Sequence, residues 1–209
     1  MESLIVTRFL ALAILFSATS ALAQGTKFPP PPPPSMVGPY VGGTLGYAQA
    51  KEGCLGVLSG GGRTCDNNDL SFGVFGGYRL FRHLAAEIAY RDLGKVAATA
   101  PGAATETIHG TVWDVTALGI LPIDEQISAY LRFGAYHATL DASARGVDAT
   151  SNGNITYGGG LQWDLPSFFS VRNLSLRGDW QRYRRVGGDT LYGVNIYDVL
   201  SIGVLWRFR

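Results

Sequence analysis

Charge is scarce in this chain. Asp, Glu, Lys and Arg make up 16% of its 209 residues, against roughly a quarter in ordinary soluble domains. The 17 basic and 16 acidic residues leave a formal net charge of +1, which excludes the global basic field of a nucleic-acid binder. Only two cysteines and three histidines occur. None has the spacing of a metal-ligand motif, so neither a metal site nor a cofactor is expected. Long apolar runs are missing too: after the first 25 residues none is long enough for a membrane-spanning helix. No helical stripe persists beyond Tyr40. What the chain does have is 46% hydrophobic residues, 28 glycines, and 10 Tyr, 10 Phe and 4 Trp. Something other than helices must use those apolar side chains.

The first 23 residues read as a secretory signal. Arg8 precedes the apolar stretch FLALAILF, and Ala21-Leu22-Ala23 is a small-x-small cleavage site before Gln24. The alternative is an N-terminal membrane anchor, but the apolar run is short for a span. Residues 24–38 read as a stiff spacer, because Pro29 to Pro34 are six consecutive prolines. In polyproline II they extend roughly 19 Å and form no ladder. A PxxP ligand is the other use of such a run.

From residue 39 onward, short segments of period-two alternation recur between turn-rich stretches. Eight strands are expected, near 39–50, 69–79, 84–93, 110–121, 127–139, 154–165, 173–183 and 196–208. Their connections alternate in length. Those at 80–83, 122–126 and 166–172 are short, whereas those at 51–68, 94–109, 140–153 and 184–195 are long. An antiparallel up-and-down barrel, with turns at one end and loops at the other, produces this alternation.

Parity separates two faces. In the last segment Leu200, Ile202, Val204, Trp206 and Phe208 oppose Ser201, Gly203, Leu205 and Arg207. Leu174, Leu176 and Trp180 oppose Ser175, Arg177, Asp179 and Gln181, and Ile155, Tyr157, Leu161 and Trp163 oppose a set that includes Gln162 and Asp164. The second segment is ambiguous, because Phe72 and Phe75 fall on opposite faces. The polar faces decide the architecture. They combine Gly, Ser and Thr with charges of both signs: Glu87, Arg91, Asp114, Arg132, Asp164, Arg177 and Asp179. Such residues suit a narrow lumen in which charges satisfy one another. Aromatics then collect in two belts: Tyr40, Tyr78, Trp163, Trp206 and Phe208 at the short-turn end, and Tyr47, Tyr90, Trp113, Tyr157 and Trp180 at the other. Two belts a bilayer apart are expected of a lipid-facing barrel. A soluble ligand-carrying barrel is the structural alternative.

Four segments carry a resemblance. The ending LSIGVLWRF (Leu200–Phe208), FGGY (Phe75–Tyr78), EIAYRDLG (Glu87–Gly94) and AYLRFG (Ala129–Gly134) occur in the order of matching strands of the outer membrane protein A transmembrane domain. The chain therefore resembles that family, and the small barrel-only porin-like and opacity-type surface proteins, from about Pro39 onward. The resemblance implies an eight-stranded barrel in the outer membrane of a Gram-negative bacterium. It implies Glu87, Arg132, Gln162 and Arg177 in a polar lumen, and recognition of the last strand by the barrel-assembly machinery. There are two departures. Arg209 follows Phe208, where the family commonly ends on an aromatic, and no peptidoglycan-binding domain follows the barrel.

Few constellations could carry chemistry. Cys54 and Cys65 share the first long loop, and export through an oxidising compartment favours a disulfide. Closing a loop of about 12 residues would contribute roughly 2.5–3 kcal/mol. Among His83, His109 and His137, the last faces lipid near the loop end with Thr139 two residues on. A His and a hydroxyl so placed resemble the site of lipid A deacylases of the outer membrane, but no orienting acid accompanies them. Glycine pairs such as Gly42-Gly43 open no helix, so they are not phosphate loops. Arg182, Arg184 and Arg185 lie at the loop end of the seventh segment. There they either contact lipopolysaccharide phosphates or form a solvated loop end. The expected protein is a monomeric, non-enzymatic surface barrel. Its rivals are a small diffusion pore and a lipid A-modifying enzyme, and its partners are outer-membrane lipid, lipopolysaccharide and a host or surface ligand at the loops.

Overall fold

Nine strands, all antiparallel to their neighbours, account for nearly all of the described chain. The computed structural model describes residues 37–51, 64–99, 106–142, 150–165, 173–187 and 195–208. In chain order the strands are β1 (Gly38–Ala50), β2 (Thr64–Asp66), β3 (Asn68–Phe81), β4 (Leu84–Thr99), β5 (Glu106–Pro122), β6 (Ile127–Ala142), β7 (Thr150–Asp164), β8 (Leu174–Val186) and β9 (Asn195–Arg207). Eight of them build the barrel. Each pairs with its successor, β1 pairs with β3, and β9 returns to β1 over Tyr40↔Arg207 to Ala50↔Tyr197. Closure leaves none of these eight strands with an edge, as a membrane interior demands. The ninth strand, β2, adds three residues to the outer part of β4, from Thr64↔Thr99 to Asp66↔Ala97.

The expected strands and the observed ones share their cores and differ at the loop end. There β4 runs to Thr99 and β5 begins at Glu106, so the hairpin continues past the expected limits. A register shift between Asp92 and Lys95 interrupts the alternation at that point. Gly94 supplies the positive φ of 75° that only glycine accepts without strain. Parity breaks at such a bulge, which is why the extension does not read as a continuous strand.

Burial alternates along each strand, and the exposed face is the greasy one. Leu131 and Ile202 are 75% and 73% exposed, while Glu87 and Arg132 are 3% exposed. A soluble barrel would bury the first pair and expose the second. The inversion removes the soluble alternative, since large apolar side chains standing free on each of the eight barrel strands require lipid around them. Phe72 stands outside and Phe75 inside, which resolves the ambiguous segment.

One belt residue is corrected. Tyr40 is buried in the lumen rather than standing in the short-turn belt, and its hydroxyl donates to Glu87 Oε1 at 2.8 Å. The cause is parity: Tyr40 and Tyr47 are seven residues apart on one strand, so they cannot share a face. Tyr78, Trp163, Trp206 and Phe208 stay exposed at the short-turn end, with Trp206 and Phe208 stacked at 5.7 Å. The opposite belt includes Tyr90 packed on Trp113 and Tyr157 packed on Trp180.

The lumen is filled rather than hollow. An apolar cluster containing Leu93, Val112, Tyr136, Leu140, Tyr183 and Val199 occupies its loop-end half. A second cluster, with Tyr40, Phe75, Leu118, Tyr130 and Leu205, lies toward the turns. Glycine makes room for the second cluster. A Cβ on Gly77 would meet the Tyr40 ring at 2.4 Å, and one on Gly42 would meet Phe75 at 2.3 Å.

Candidate functional site

Glu87 is the centre of the interior. It projects inward from β4 and accepts from three strands at once. Arg177 Nη1 on β8 donates to Oε1 at 2.7 Å, beside the Tyr40 hydroxyl, and Arg132 Nη2 on β6 donates to Oε2 at 3.2 Å. Arg132 extends the network, pairing with Asp179 Oδ1 at 2.9 Å and donating to Gln181 Oε1 at 2.8 Å. Gln181 Nε2 then donates to Asp114 Oδ2 at 3.2 Å and to Thr156 Oγ1 at 3.0 Å. The Tyr183 hydroxyl reaches the same Asp114 oxygen at 2.6 Å. Arg177 also donates to Gln162 Oε1 at 3.4 Å and stacks over both Phe75 and Tyr130, at 4.8 Å from each ring centre.

Two further residues lie at the margins of this network. Arg91 is buried and donates to Thr44 Oγ1 at 3.5 Å. Asp164, at the turn end of β7, accepts from Arg207 at 2.6 Å, Ser175 at 2.8 Å and Gln162 at 3.0 Å. Thus Glu87, Arg132, Gln162 and Arg177 form one hydrogen-bonded assembly, with Asp179 joined by its ion pair to Arg132, that reaches Asp114 through Gln181 and Asp164 through Gln162. The lumen residues singled out from the sequence omit Gln181, Tyr183 and Tyr40, which the structure adds to the network. Gln181 is the link between the upper and central charges, and its inward parity was the available signal. Isolated buried charges are costly, and a carboxylate shared by two guanidiniums in close geometry offsets that cost.

The three rim arginines divide. Arg182 faces outward and forms a two-point ion pair with Asp198, Nε to Oδ1 at 2.6 Å and Nη2 to Oδ2 at 2.7 Å. Lys51 Nζ reaches the same carboxylate at 2.8 Å. Arg184 and Arg185 are exposed, and the chain turns at Arg185 with φ 62°. Side chains from β6 and β7 hold this turn: Tyr136 donates to the Arg184 carbonyl and Asn152 to that of Arg185.

Other candidates stay apart. His137 is exposed on the outer face opposite Trp113 and hydrogen-bonds no carboxylate among the described residues. The histidine that does meet an acid is His109, whose Nε2 lies 2.9 Å from Asp92 Oδ1. Among the described residues, no group of three His, Cys, Asp or Glu side chains could hold a metal ion. The expected Cys54–Cys65 bridge lies outside the described residues, since only the backbone of Cys65, at the centre of β2, is placed.

A closed antiparallel barrel with a lipid-exposed apolar wall, aromatic girdles and an ion-paired interior is an outer-membrane β-barrel. The OmpA-like transmembrane domain model matches residues 37–209, and the chain belongs to that family. Among curated proteins it is similar to outer membrane protein A of Klebsiella aerogenes, 25% identical over 173 residues, covering 81% of this chain and 48% of that protein. Outer membrane protein A of Klebsiella pneumoniae is 26% identical over 180 residues, with 81% and 50% covered. The chain thus spans about half the length of the curated relatives it matches. Among solved structures, Neisserial surface protein A shares the fold at TM-score 0.54 and 17% identity, over 81% of this chain and 97% of that one. The N-terminal barrel of Pseudomonas aeruginosa OprF does so at TM-score 0.52 and 11% identity, over 82% and 98%.

Proposed function

We propose that this barrel is a non-enzymatic surface protein of the outer membrane, acting through envelope integrity and through contacts made at its loop end. The observation that carries this reading is the filled lumen. The Glu87–Arg132–Arg177 assembly lies with two apolar clusters in the same interior, and eight strands leave only enough room for such side chains. That arrangement argues against the diffusion-pore reading. The enzyme reading loses support because His137 has no carboxylate to orient it among the described residues. Residues 1–23 serve as the export signal and 24–38 as a periplasmic spacer. The apolar outer face of β9 presents the last strand to the assembly machinery, and the barrel works as a monomer. Arg182, Arg184 and Arg185 face the lipopolysaccharide leaflet.

Planar-bilayer recording tests the central statement. The refolded protein is expected to leave the bilayer electrically silent apart from brief, irregular openings. A steady ohmic conductance, unchanged in Glu87→Gln, would establish the pore reading instead.

A further inference from the structure

We propose that the outward-facing cluster of Lys51, Arg182 and Asp198 is a binding site for the phosphate of a lipid headgroup in the outer leaflet. This rests on the surface reading above and names the residues that meet the leaflet.

Three strands bring the cluster together. Arg182 on β8 is the cross-strand partner of Asp198 on β9, and Asp198 is in turn the partner of Gln49 on β1. Lys51 lies two residues beyond Gln49, just past the end of β1, and its backbone N–H donates to the Ile196 carbonyl at 2.9 Å. Two residues down the same face lies the row Tyr47, Leu200 and Trp180, which is part of the aromatic belt. A cluster one step beyond that belt sits at headgroup level.

The donors are held in place but not exhausted. Asp198 fixes the Arg182 guanidinium from one side, and the Trp180 ring lies 5.3 Å from its central carbon. Arginine carries five N–H donors and lysine three. Asp198 engages two of the first and one of the second, and the Tyr157 hydroxyl is a further partner of Arg182, so donors from both cations remain. The cluster keeps a net positive charge, because a single acid faces two bases. Exposed ion pairs contribute little to folding stability, so stability alone does not account for a lysine and an arginine sharing one acid on the lipid face. A phosphate can take the unspent fork of Arg182 together with Lys51. Free phosphate would gain only that contact. A lipid would also lay its acyl chain on Leu200 and the belt, which is why a lipid is the inferred occupant.

The test uses the full protein refolded in phosphatidylcholine nanodiscs. It is titrated with bisphosphorylated lipid A, with dephosphorylated lipid A and with inorganic phosphate, and retained lipid is read by native mass spectrometry. Bisphosphorylated lipid A should bind in preference to the dephosphorylated form. The double change Lys51→Gln with Arg182→Gln should weaken that binding about tenfold, whereas Arg82→Gln at the short-turn end should not. Lys51→Gln alone removes only an exposed side chain, so it reports even where the double variant folds poorly, and it should weaken binding severalfold. The proposal is overturned if both variants bind like the parent, or if inorganic phosphate competes efficiently. If Arg184→Gln and Arg185→Gln lose binding while Lys51 and Arg182 variants do not, the surface reading survives and this site does not. If the parent shows no preference for phosphorylated lipid, the leaflet contact itself is wrong.

Discussion

At the residue scale the interior depends on Glu87. Its two oxygens serve Tyr40, Arg177 and Arg132, and all four side chains are buried. Removing one partner of a buried pair leaves a lone charge, at a cost of about 3–5 kcal/mol. Glu87→Gln and Arg177→Met should each destabilise the barrel by that order in urea unfolding from lipid bilayers. The double variant should cost clearly less than the sum of the two, because it removes both members of the Glu87–Arg177 pair and orphans neither, while Arg132 keeps Asp179. Coupling near zero would mean that water reaches these charges. The inward direction of Glu87, Arg132 and Arg177 was legible from parity. That these charges would satisfy one another was legible too; which of them touch directly was not, because strands β4, β6 and β8 are not neighbours, and the pairs that meet across a lumen are set by shear and tilt.

At the scale of a strand, β9 shows how far alternation can be trusted. Leu200, Ile202, Val204, Trp206 and Phe208 are all exposed, and Ser201 and Leu205 are buried between them. Ile202 lies midway along β9 between Asp198 and the belt residue Trp206. Ile202→Arg is therefore expected to cost about 2–4 kcal/mol, and Ser201→Ala to be nearly neutral, since its buried hydroxyl has no hydrogen-bond partner among the described residues. Equal losses in urea unfolding would show the faces to be wrong. Parity alone, however, ranks every luminal substitution as mild, and Gly203 contradicts that. A Cβ there would come within 2.6 Å of the Gly43 carbonyl. Pattern gives the direction of a side chain but not the space it finds, and the same gap hid the apolar clusters. Val112, Leu118 and Val199 have inward parity, but a polar reading of the lumen gives no place to valine and leucine.

For the whole molecule, the decisive property is closure. The eight barrel strands and the two aromatic girdles were visible in the chain, because a bilayer imposes one thickness and one polarity on every barrel strand; the alternation of connection length was not kept, since the turn-end connection between Asp164 and Leu174 is longer than the one between Thr99 and Glu106. The rim cluster was only half visible. Arg182 stood out as one of three arginines, whereas its acid and its lysine lie 16 residues later on β9 and at the end of β1. Pairing β9 with β1 joins them and also removes the last free edge. A sheet without edges cannot unzip strand by strand, since the first opening must break two ladders and expose luminal charges to detergent chains. The folded barrel should therefore survive dodecyl sulfate at room temperature and migrate differently in a gel from the boiled, unfolded chain. The two bands should interconvert over a narrow temperature range, and Glu87→Gln should move that range downward. A single unchanging band, with a far-ultraviolet spectrum of helix, would be incompatible with a closed barrel and with every inward and outward assignment that depends on it.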